Sequence, residues 1–456
     1  MQTDDPLPSK AKRNRHPTTS AVREDGSLVE LVYDHGQRST ALAVFRGATW
    51  TLEAGVDLGN GEQLVPFSPN NNLIKNEVVL LPSTPEEYGS QGELVNDIAG
   101  FIHRYLDVSP MFEKAATYYV LLTWMYDAFN ELPYLRLRGD YGTGKTRALL
   151  TIGSLCYKAF FASGASTVSP LFHTLDAFRG TLVIDEADFR FSDEKAEIVK
   201  ILNNGNVKGL PVLRTMQTDQ REFNPRAFQV YGPKIIAARG SFDDRALESR
   251  FLTEEMGQRR LRTDVPINLP DAYKAEALAL RNKLLMYRFR NRHKARIDPS
   301  MIDLSLEPRL NQILVPLLSV IDSATLREEL RSVAIGYQAT LVADRGLTPE
   351  GNVLDVLRAL LVGSDGPISI GDVTARFIDQ FGANYDRPIT ARWIGNLIRN
   401  RLRLVTYKSH GVYVVPISEK PKLEVLWQKY GIVNEPDTIV GSDKPAGGQG
   451  DMGTSV

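Results

Sequence analysis

The segment Tyr134–Leu150, YLRLRGDYGTGKTRALL, decides how the rest of the chain is interpreted. Within it, residues 139–146 read GDYGTGKT and satisfy the phosphate-binding loop (P-loop) pattern G-x-x-x-x-G-K-[ST]. Leu135 and Leu137 alternate with arginines as in a short strand, and a helical pattern opens at Thr146. The segment is therefore predicted to form a strand, a glycine-rich loop and a helix.

This loop carries the residue types that bind a phosphate chain. Its glycines permit tight turns, so that several N–H groups can point at one phosphate, and the following helix adds a partial positive charge. Lys145 is expected to reach the β- and γ-phosphates of ATP, and the Thr146 hydroxyl to bind Mg²⁺. The predicted nucleotide-binding residues of the loop are Gly139, Asp140, Tyr141, Gly142, Thr143, Gly144, Lys145 and Thr146.

A second motif follows along the chain. Residues 180–188 read GTLVIDEAD, an apolar run that ends in acidic residues. An apolar run without alternation is typical of a central parallel strand. At its carboxyl end, Asp185 is expected to bind Mg²⁺ together with Thr146, and Glu186 to polarise the attacking water. The two motifs together predict an α/β ATPase with ATP and Mg²⁺ as cofactors.

The amino-acid composition limits the classes of protein to which the chain can belong. The 456 residues are 43% hydrophobic and 24% charged, which is typical of a soluble globular protein. The formal net charge of −1 means that nucleic acid would have to bind to local basic patches. A single cysteine, Cys156, excludes a disulfide framework, and no apolar run is long enough for a membrane span. We therefore expect a cytoplasmic protein without a membrane partner.

A third motif carries a resemblance to a known family. Residues 239–251 read RGSFDDRALESRF and follow an apolar strand pattern at 234–238. GDYGTGKT, VIDEAD and SRF, in this order, resemble the AAA+ ATPases, and most of all the minichromosome-maintenance-like helicases of phages, plasmids and integrative elements. The resemblance covers about residues 90–415. It implies a ring, most often a hexamer, with ATP bound between subunits.

The resemblance also assigns residues outside the P-loop. Arg250 of SRF would be an arginine finger that enters the neighbouring subunit's site, with Arg245 as the alternative. Arg309, at the start of a predicted helix, resembles sensor 2, which touches the γ-phosphate region in cis or in trans. A polar sensor 1 residue should follow the 234–238 strand, where the chain offers Arg239 and Ser241.

The predicted fold class is α/β, with an AAA+ P-loop core, a helical lid, a small β-rich amino-terminal module and a carboxyl-terminal winged helix. Polar composition predicts disordered tails at both ends. The predicted segments are the tail 1–26, the β-rich module 27–88, the ATPase core 89–262, the lid 263–349, the winged helix 350–435 and the tail 436–456.

Basic residues mark two candidate DNA contacts. Residues 205–215 and 222–232 look like the arms of a hairpin, which in ring-shaped ATPases faces the central channel; solvated surface charge is the alternative. The winged helix carries arginines on its third helix and a lysine on its wing, and it binds either DNA or protein. The candidate DNA-binding residues are Lys208, Arg214, Arg392, Arg399 and Lys408.

The sequence thus predicts an oligomeric ATP-hydrolysing motor on single-stranded or forked DNA, acting as a replicative helicase or translocase of a mobile genetic element. One alternative is an ATP-switched DNA-binding initiator or loader, or a transposition or defence ATPase, without unwinding activity. Another is an interaction module that keeps the fold without hydrolysis. Lys145, Asp185 and Glu186 argue against the last of these.

Overall fold

The computed structural model describes residues 14–59, 61–163, 167–185, 193–215, 225–242, 244–362 and 366–432. Chain contacts divide the protein into two compact units, Met1–Ala334 and Ile335–Val456. Every helix that the structure describes is too short or too polar to cross a bilayer.

The first unit begins with strands β1 to β7 and a short helix, α1. Strands β2 to β5 form an antiparallel sheet in sequence order, while β7 pairs in parallel with β1 and antiparallel with β6. The bounds are β1 Asn14–Thr18, β2 Ser20–Val22, β3 Leu28–Asp34, β4 Ser39–Arg46, β5 Thr49–Glu53, β6 Val56–Gly59, β7 Glu62–Pro66 and α1 Asn72–Lys75.

The prediction of a disordered tail at residues 1–26 is wrong for the part of it that forms β1 and β2. The backbone of β1 pairs with β7 along its whole length, from Asn14 opposite Glu62 to Thr18 opposite Pro66. The side chains of β1 are mostly exposed, so its composition is polar although its backbone is paired. Amino-acid composition indicates whether side chains are buried. It therefore does not reveal a strand whose side chains are exposed and whose backbone is held by hydrogen bonds. Residues 1–13 and 433–456, which include the other predicted tail, lie outside the described residues.

The amino-terminal strands share one hydrophobic core with the parallel sheet that carries the P-loop motif. Val29, Leu31 and Val44 belong to the same buried cluster as Phe160 and Leu182. Apolar surface of both sheets is therefore removed from water only when they pack together.

A buried charged cluster lies in the same contact region. Glu30 accepts a hydrogen bond from Arg288 Nε at 2.7 Å and lies 2.9 Å from Lys158 Nζ. The Tyr157 hydroxyl donates to the same carboxylate at 2.7 Å. Burial lowers the pKa of the Lys158 ammonium to about 8, against the opposing effect of Glu30. We call Glu30, Tyr157, Lys158 and Arg288 the Glu30 cluster.

The segment predicted as an ATPase core is built on a parallel five-stranded sheet in the order β14-β8-β13-β10-β9. This confirms the predicted mixed α/β class. Its elements are α2 Gln91–Tyr105, α3 Pro110–Met125, β8 Tyr134–Arg138, α4 Lys145–Gly153, β9 Phe160–Ser163, α5 Val168–Phe178, β10 Leu182–Asp185, α6 Asp193–Asn204, β11 Val212–Arg214, β12 Arg226–Phe228, β13 Lys234–Ala238, α7 Arg245–Glu248 and β14 Phe251–Glu255. Strands β11 and β12 pair separately as an antiparallel ladder.

The local sequence explains how these elements begin and pack. Ser90 and Glu93 form a capping box at the start of α2. Leu135 and Leu137 of β8 are buried, and so is Arg136 between them, which donates to Glu248 and to Thr253 Oγ1. Because the carboxyl ends of parallel strands meet at one edge, the loop after β8 and Asp185 at the end of β10 lie together.

Three further helices follow, in the region predicted as a lid: α8 Ala272–Asn291, α9 Pro308–Leu318 and α10 Ala324–Gly346. Helix α8 packs on α2, where Glu276 accepts hydrogen bonds from Arg104 at 2.6 Å and from the Tyr105 hydroxyl at 3.0 Å. The region is helical as expected, and its role as a lid stays a prediction.

The second unit has its own core and a small antiparallel sheet in the order β15-β17-β16. Thr390 caps α13 by accepting a hydrogen bond from Trp393 N. Beyond α10, the elements are α11 Pro349–Leu361, β15 Ile368–Ser369, α12 Ile370–Phe381, α13 Ala391–Asn396 with a π-helical turn at Leu397–Arg401, β16 Tyr407–Ser409, β17 Val412–Val415 and α14 Lys420–Lys429. The core residues include Val353, Val373, Phe377, Ile394 and Ile398.

Candidate nucleotide-binding site

The loop between β8 and α4 has the backbone shape that its glycines allow. Gly142 and Gly144 adopt left-handed conformations, with φ of 71° and 89°. Gly144 directly precedes α4 and has no side chain to cap it, which leaves the first N–H groups of the helix for an anion. A Cβ on Gly139 would lie 2.7 Å from Met256 O, so the loop is packed closely against the end of β14.

Lys145 folds back over its own loop. Its ammonium donates to Gly139 O at 2.7 Å and to Asp140 O at 2.6 Å. The charge therefore lies at the centre of the loop. A phosphate oxygen would compete with these two neutral carbonyls, and a charge-assisted bond to an anion is the stronger one.

Thr146 and Asp185 join the two sequence motifs. The Thr146 hydroxyl donates to Asp185 Oδ2 at 2.6 Å. A hydroxyl and a carboxylate are hard oxygen donors, and Mg²⁺ is usually held by one or two such groups together with phosphates and waters. The pair fits that ion. Among the described residues, no group of three or more His, Cys, Asp or Glu side chains could form an all-protein metal site. Glu186 lies outside the described residues.

A pocket of about 350 Å³ opens over the loop. Its volume is in the range of about 300–1,000 Å³ that is usual for small-molecule sites. The lining residues are Tyr141, Gly142, Thr143, Gly144, Lys145, Thr146, Asp185, Ala237, Ala238 and Arg239. The pocket therefore unites the P-loop, the end of β10 and the end of β13.

The structure separates the two residues that the sequence offered at the end of β13. Arg239 lines the pocket, and its guanidinium carbon lies 3.6 Å from the centre of the Tyr141 ring. Ser241 instead accepts a hydrogen bond from Arg138 Nη1 at 2.5 Å. Arg239 is thus the candidate that faces a bound nucleotide.

Arg250 lies at the opposite side of the sheet from the P-loop, near the amino ends of the strands. Its carbonyl accepts from Tyr134 N at 2.9 Å, at the amino end of β8, whereas the P-loop follows the carboxyl end. The two ends of the five-residue strand β8 are about 13 Å apart, since each of its four intervals between residues spans about 3.3 Å. An arginine side chain does not span that distance, so Arg250 cannot serve the pocket of its own chain.

The side chain of Arg250 is folded inwards in this single chain. It is 8% exposed, its Nη1 donates to Asn203 Oδ1, and its Nε has no hydrogen-bond partner among the described residues. Burial lowers the pKa of the guanidinium, and the nearby charge of Arg309 adds to this effect. The side chain of Arg245, the alternative finger, lies outside the described part of the chain.

Arg309 lies beside Arg250 and away from the pocket of the same chain. Its Nη1 donates to Ala246 O, in α7, at 2.9 Å. The structure therefore brings the two predicted arginines together but does not bring Arg309 to the phosphate loop. Contact with a nucleotide in cis would need a rearrangement of α9.

The predicted channel hairpin carries its basic residues against the core. Lys208 donates to Asp127 O at 2.9 Å, and Arg214 pairs with Glu197 while its guanidinium carbon lies 4.6 Å from the centre of the Phe172 ring. Residues 216–224, between the two arms, lie outside the described residues. In the described arms, both of these basic side chains therefore contact other residues of the same chain and are not free charges.

The second unit presents a basic and aromatic surface that we call the hairpin cluster: Arg399, Lys408 and Tyr413. Lys408 and Tyr413 lie opposite each other in the β16–β17 ladder, and the Arg399 guanidinium carbon is 5.5 Å from the centre of the Tyr413 ring. Tyr413 is 52% exposed. Arg392 is also exposed, on α13. Sequence reasoning missed Tyr413, although an aromatic residue in a predicted hairpin was a usable signal.

Comparisons with known proteins give distant likenesses. No family model and no curated protein matches the chain. Among solved structures, the chain is similar to Cch of SCCmec type IV, an active helicase, at 12% identity over 90% of this chain and 80% of that one, with a TM-score of 0.43. It is similar to the C-terminal region of NrS-1 at 12% identity over 85% and 96%, with a TM-score of 0.36. Cdc6p from Pyrobaculum aerophilum gives 11% identity over 74% and 97%, with a TM-score of 0.20.

Proposed function

We propose that this chain is an ATP-hydrolysing AAA+ motor that acts on DNA as a helicase or translocase. The observation that supports the proposal most directly is the hydrogen bond between Thr146 and Asp185 beneath the phosphate-loop pocket. It brings the hydroxyl of one motif to the carboxylate of another, 39 residues later in the chain.

The proposed roles follow from the positions of these groups. Lys145 exchanges its two carbonyl partners for the β- and γ-phosphates of ATP. Thr146 and Asp185 hold Mg²⁺, which neutralises charge on the phosphates when it is bound. Glu186, the residue after Asp185, polarises the attacking water. Phosphoryl transfer needs mostly positioning and charge stabilisation, which these groups supply.

Completion of the site requires a second copy of the chain in this proposal. The P-loop lies at one edge of the sheet, and Arg250 with Arg309 lies at the other. A head-to-tail contact would place the arginine pair of one subunit against the pocket of the next, and such contacts form a ring when the rotation between neighbouring subunits closes. Arg250 must leave Asn203 to act as a finger. We propose a hexamer, with residues 263–349 as the lid.

The second unit is the proposed DNA-binding element. The order of its helices and strands supports the assignment of a winged helix, in which α13 would enter the major groove and the β16–β17 hairpin would lie beside the backbone. The hairpin cluster adds an exposed aromatic ring to exposed positive charges, a combination that suits single-stranded or forked DNA.

ATP hydrolysis by the full chain, with and without single-stranded and forked DNA, tests the proposal. Lys145→Ala is expected to abolish turnover, while Glu186→Gln should bind ATP without hydrolysing it. Lys274→Ala is the matched control, because the Lys274 side chain is 83% exposed on α8. Equal turnover in Lys145→Ala and the unaltered chain would reject the ATPase assignment. Turnover that ignores DNA would favour an ATP-switched loader over a motor.

Mixing two inactive variants tests the shared site. In a 1:1 mixture of Lys145→Ala and Arg250→Ala subunits, about one interface in four pairs an intact P-loop with an intact finger. We therefore expect about a quarter of the unaltered rate from the mixture, and almost none from either variant alone. A mixture no more active than its components would show that Arg250 does not act between subunits.

A further inference from the structure

The position of the Arg250 guanidinium depends on one side chain, Asn203. The backbone of Arg250 is fixed, because its N–H donates to Leu247 O at 3.0 Å and its carbonyl accepts from Tyr134 N at 2.9 Å. Among the described residues, its guanidinium donates to a single acceptor, Asn203 Oδ1, near the end of α6. The side chain can therefore change its direction without a movement of the strand that follows it.

Asp244 determines which way the Asn203 amide points. Asn203 Nδ2 donates to Asp244 Oδ2 at 2.9 Å, and this bond is the largest of the effects that lower the pKa of the Asp244 carboxyl. An ionised carboxylate only accepts hydrogen bonds, so the NH₂ group of Asn203 must face it and the carbonyl oxygen is left for Arg250. Asp244 is held in turn, since Oδ1 accepts from Ala246 N at 2.9 Å and from Leu247 N at 3.3 Å.

The buried position of Arg250 has little other support. Asn203 offers the guanidinium a neutral acceptor, and Arg250 Nε has no hydrogen-bond partner among the described residues. Burial and the charge of Arg309 lower the pKa of Arg250, although the Asp244 carboxylate is near. One hydrogen bond to a charged group shifts an equilibrium by about 10- to 100-fold. The bond to Asn203 is thus strong enough to decide whether the guanidinium stays inside, and a phosphate oxygen is a stronger acceptor.

We propose that Asn203, oriented by Asp244, makes an autoinhibitory contact that keeps Arg250 withdrawn in a subunit without an ATP-loaded neighbour. When the pocket of the next subunit arrives with ATP, a phosphate oxygen replaces Asn203 Oδ1 as the acceptor, and the guanidinium turns outwards. Asn203 acts only through Arg250 and is therefore a positioning residue. The inference rests on the proposed function, in which Arg250 completes a site shared between subunits.

Arginine modification of the full chain, in dilute solution without nucleotide, tests whether Asn203 holds Arg250. Phenylglyoxal reacts with accessible guanidinium groups, and mass spectrometry of the peptide that contains Arg250 gives the rate at this position. Asn203→Ala removes the acceptor, and Asn203→Leu removes it while filling most of the space. Both should raise the rate by about 10- to 100-fold. Asn204→Ala is the matched control, because it removes the same kind of side chain from the next position of α6.

ATP turnover as a function of chain concentration tests whether the contact is autoinhibitory. Assembly of the unaltered chain must break the bond to Asn203 at every shared site, whereas assembly of the two Asn203 variants does not. Each variant should therefore reach half-maximal turnover at a chain concentration about 10- to 100-fold lower, with a rate at saturating chain concentration within about twofold of the unaltered rate.

Three results would overturn the autoinhibitory contact and leave the ATPase assignment standing. An unchanged modification rate in both variants would mean that another group holds Arg250. A reactive Arg250 with a lower saturating rate would mean that Asn203 supports the finger in its active position. Equal effects of Asn204→Ala would mean that the end of α6 had only loosened. An unaltered chain without turnover at any concentration would instead reject the proposed function, and this inference with it.

Discussion

Replacing Glu30 by glutamine removes the negative charge from the Glu30 cluster and keeps the shape of the side chain. In the folded protein this carboxylate lies 2.9 Å from Lys158 Nζ and accepts from Arg288 Nε, and the side chains of all three residues are at most 2% exposed. Arg288 keeps a second carboxylate, Asp127, at 2.9 Å. Among the described residues, Lys158 keeps only uncharged direct partners, the carbonyl of Thr19 and the ring of Tyr157, whose centre lies 4.7 Å from Nζ. The loss therefore falls mainly on Lys158.

The structure gives the size of the effect. The fall of the Lys158 pKa from 10.5 to about 8 already corresponds to about 3 kcal/mol against the buried ammonium. Removing one partner of a buried ion pair typically costs about 3–5 kcal/mol, because the other charge stays buried without compensation. We expect Glu30→Gln to lower the free energy of unfolding by this amount at pH 7, out of a usual total of about 5–15 kcal/mol.

The cost should fall as the pH rises. Between pH 8 and 10.5 the unfolded chain keeps the Lys158 proton that the folded chain has lost, so the free energy of unfolding increases with pH in that window. Without Glu30 the pKa of the folded ammonium is lower still, and the increase begins at a lower pH. The difference between the unaltered chain and Glu30→Gln therefore shrinks from pH 7 to pH 10.

Urea unfolding followed by tryptophan fluorescence measures both effects, since Trp124 packs against Tyr157 with ring centres 5.2 Å apart. Glu53→Gln is the matched control: Glu53 pairs with Arg46 near the surface of the same sheet, and such pairs contribute about 0–1 kcal/mol. A Glu30→Gln cost below about 1 kcal/mol, or one that is equal at pH 7 and pH 10, would refute the reasoning.

Two further substitutions follow from close contacts and exposed surface. Gly139→Ala places a Cβ 2.7 Å from Met256 O, so the loop must shift and ATP affinity should fall at least about tenfold, whereas Gly240→Ala, with open space around its Cβ, should leave titrated affinity unchanged. Tyr413→Ala should lower the affinity for single-stranded DNA by about 5- to 100-fold and leave its dependence on salt unchanged. Lys408→Ala, in contrast, should reduce the slope of log affinity against log salt concentration by about 1. Equal slopes in both variants would argue against the hairpin cluster as a DNA surface.

The central sheet could be predicted because its signals are local. The strand, loop and helix around residues 134–150, and the apolar run that becomes β10, each carry their pattern within a few adjacent residues. The parallel arrangement followed from the buried character of that run. The mixed α/β class is confirmed for this reason.

Elements that depend on distant partners could not be predicted in the same way. No strand was predicted for residues 251–255, FLTEE, a segment that ends in two acidic residues. In the structure Glu254 accepts from Ser109 and Glu255 from Arg138, both more than a hundred positions earlier in the chain. The acidic side chains of β14 are thus satisfied by contacts that no local pattern contains.

The residues of the candidate site also fall into two groups: those that a local motif predicts and those whose role depends on contacts with distant residues. The P-loop residues are contiguous, so their motif located them at once. The choice between Arg239 and Ser241 depended on which of them faces Tyr141, and that is a property of the folded pocket. The inward fold of Arg250 depends on Asn203, 47 residues away, so the sequence suggested a projecting finger where this chain has a buried one.

The shared core of the two sheets has a consequence for synthesis. Val44, on the inner face of the amino-terminal sheet, leaves the ribosome about 116 residues before Phe160, one of its partners in the buried cluster. At about 5–20 residues per second, this face waits for roughly 6–23 s before its partner strand exists. Glu30 waits longer for Arg288. The nascent amino-terminal sheet is therefore a candidate client for ribosome-bound chaperones, and an isolated fragment that ends before β9 is expected to aggregate.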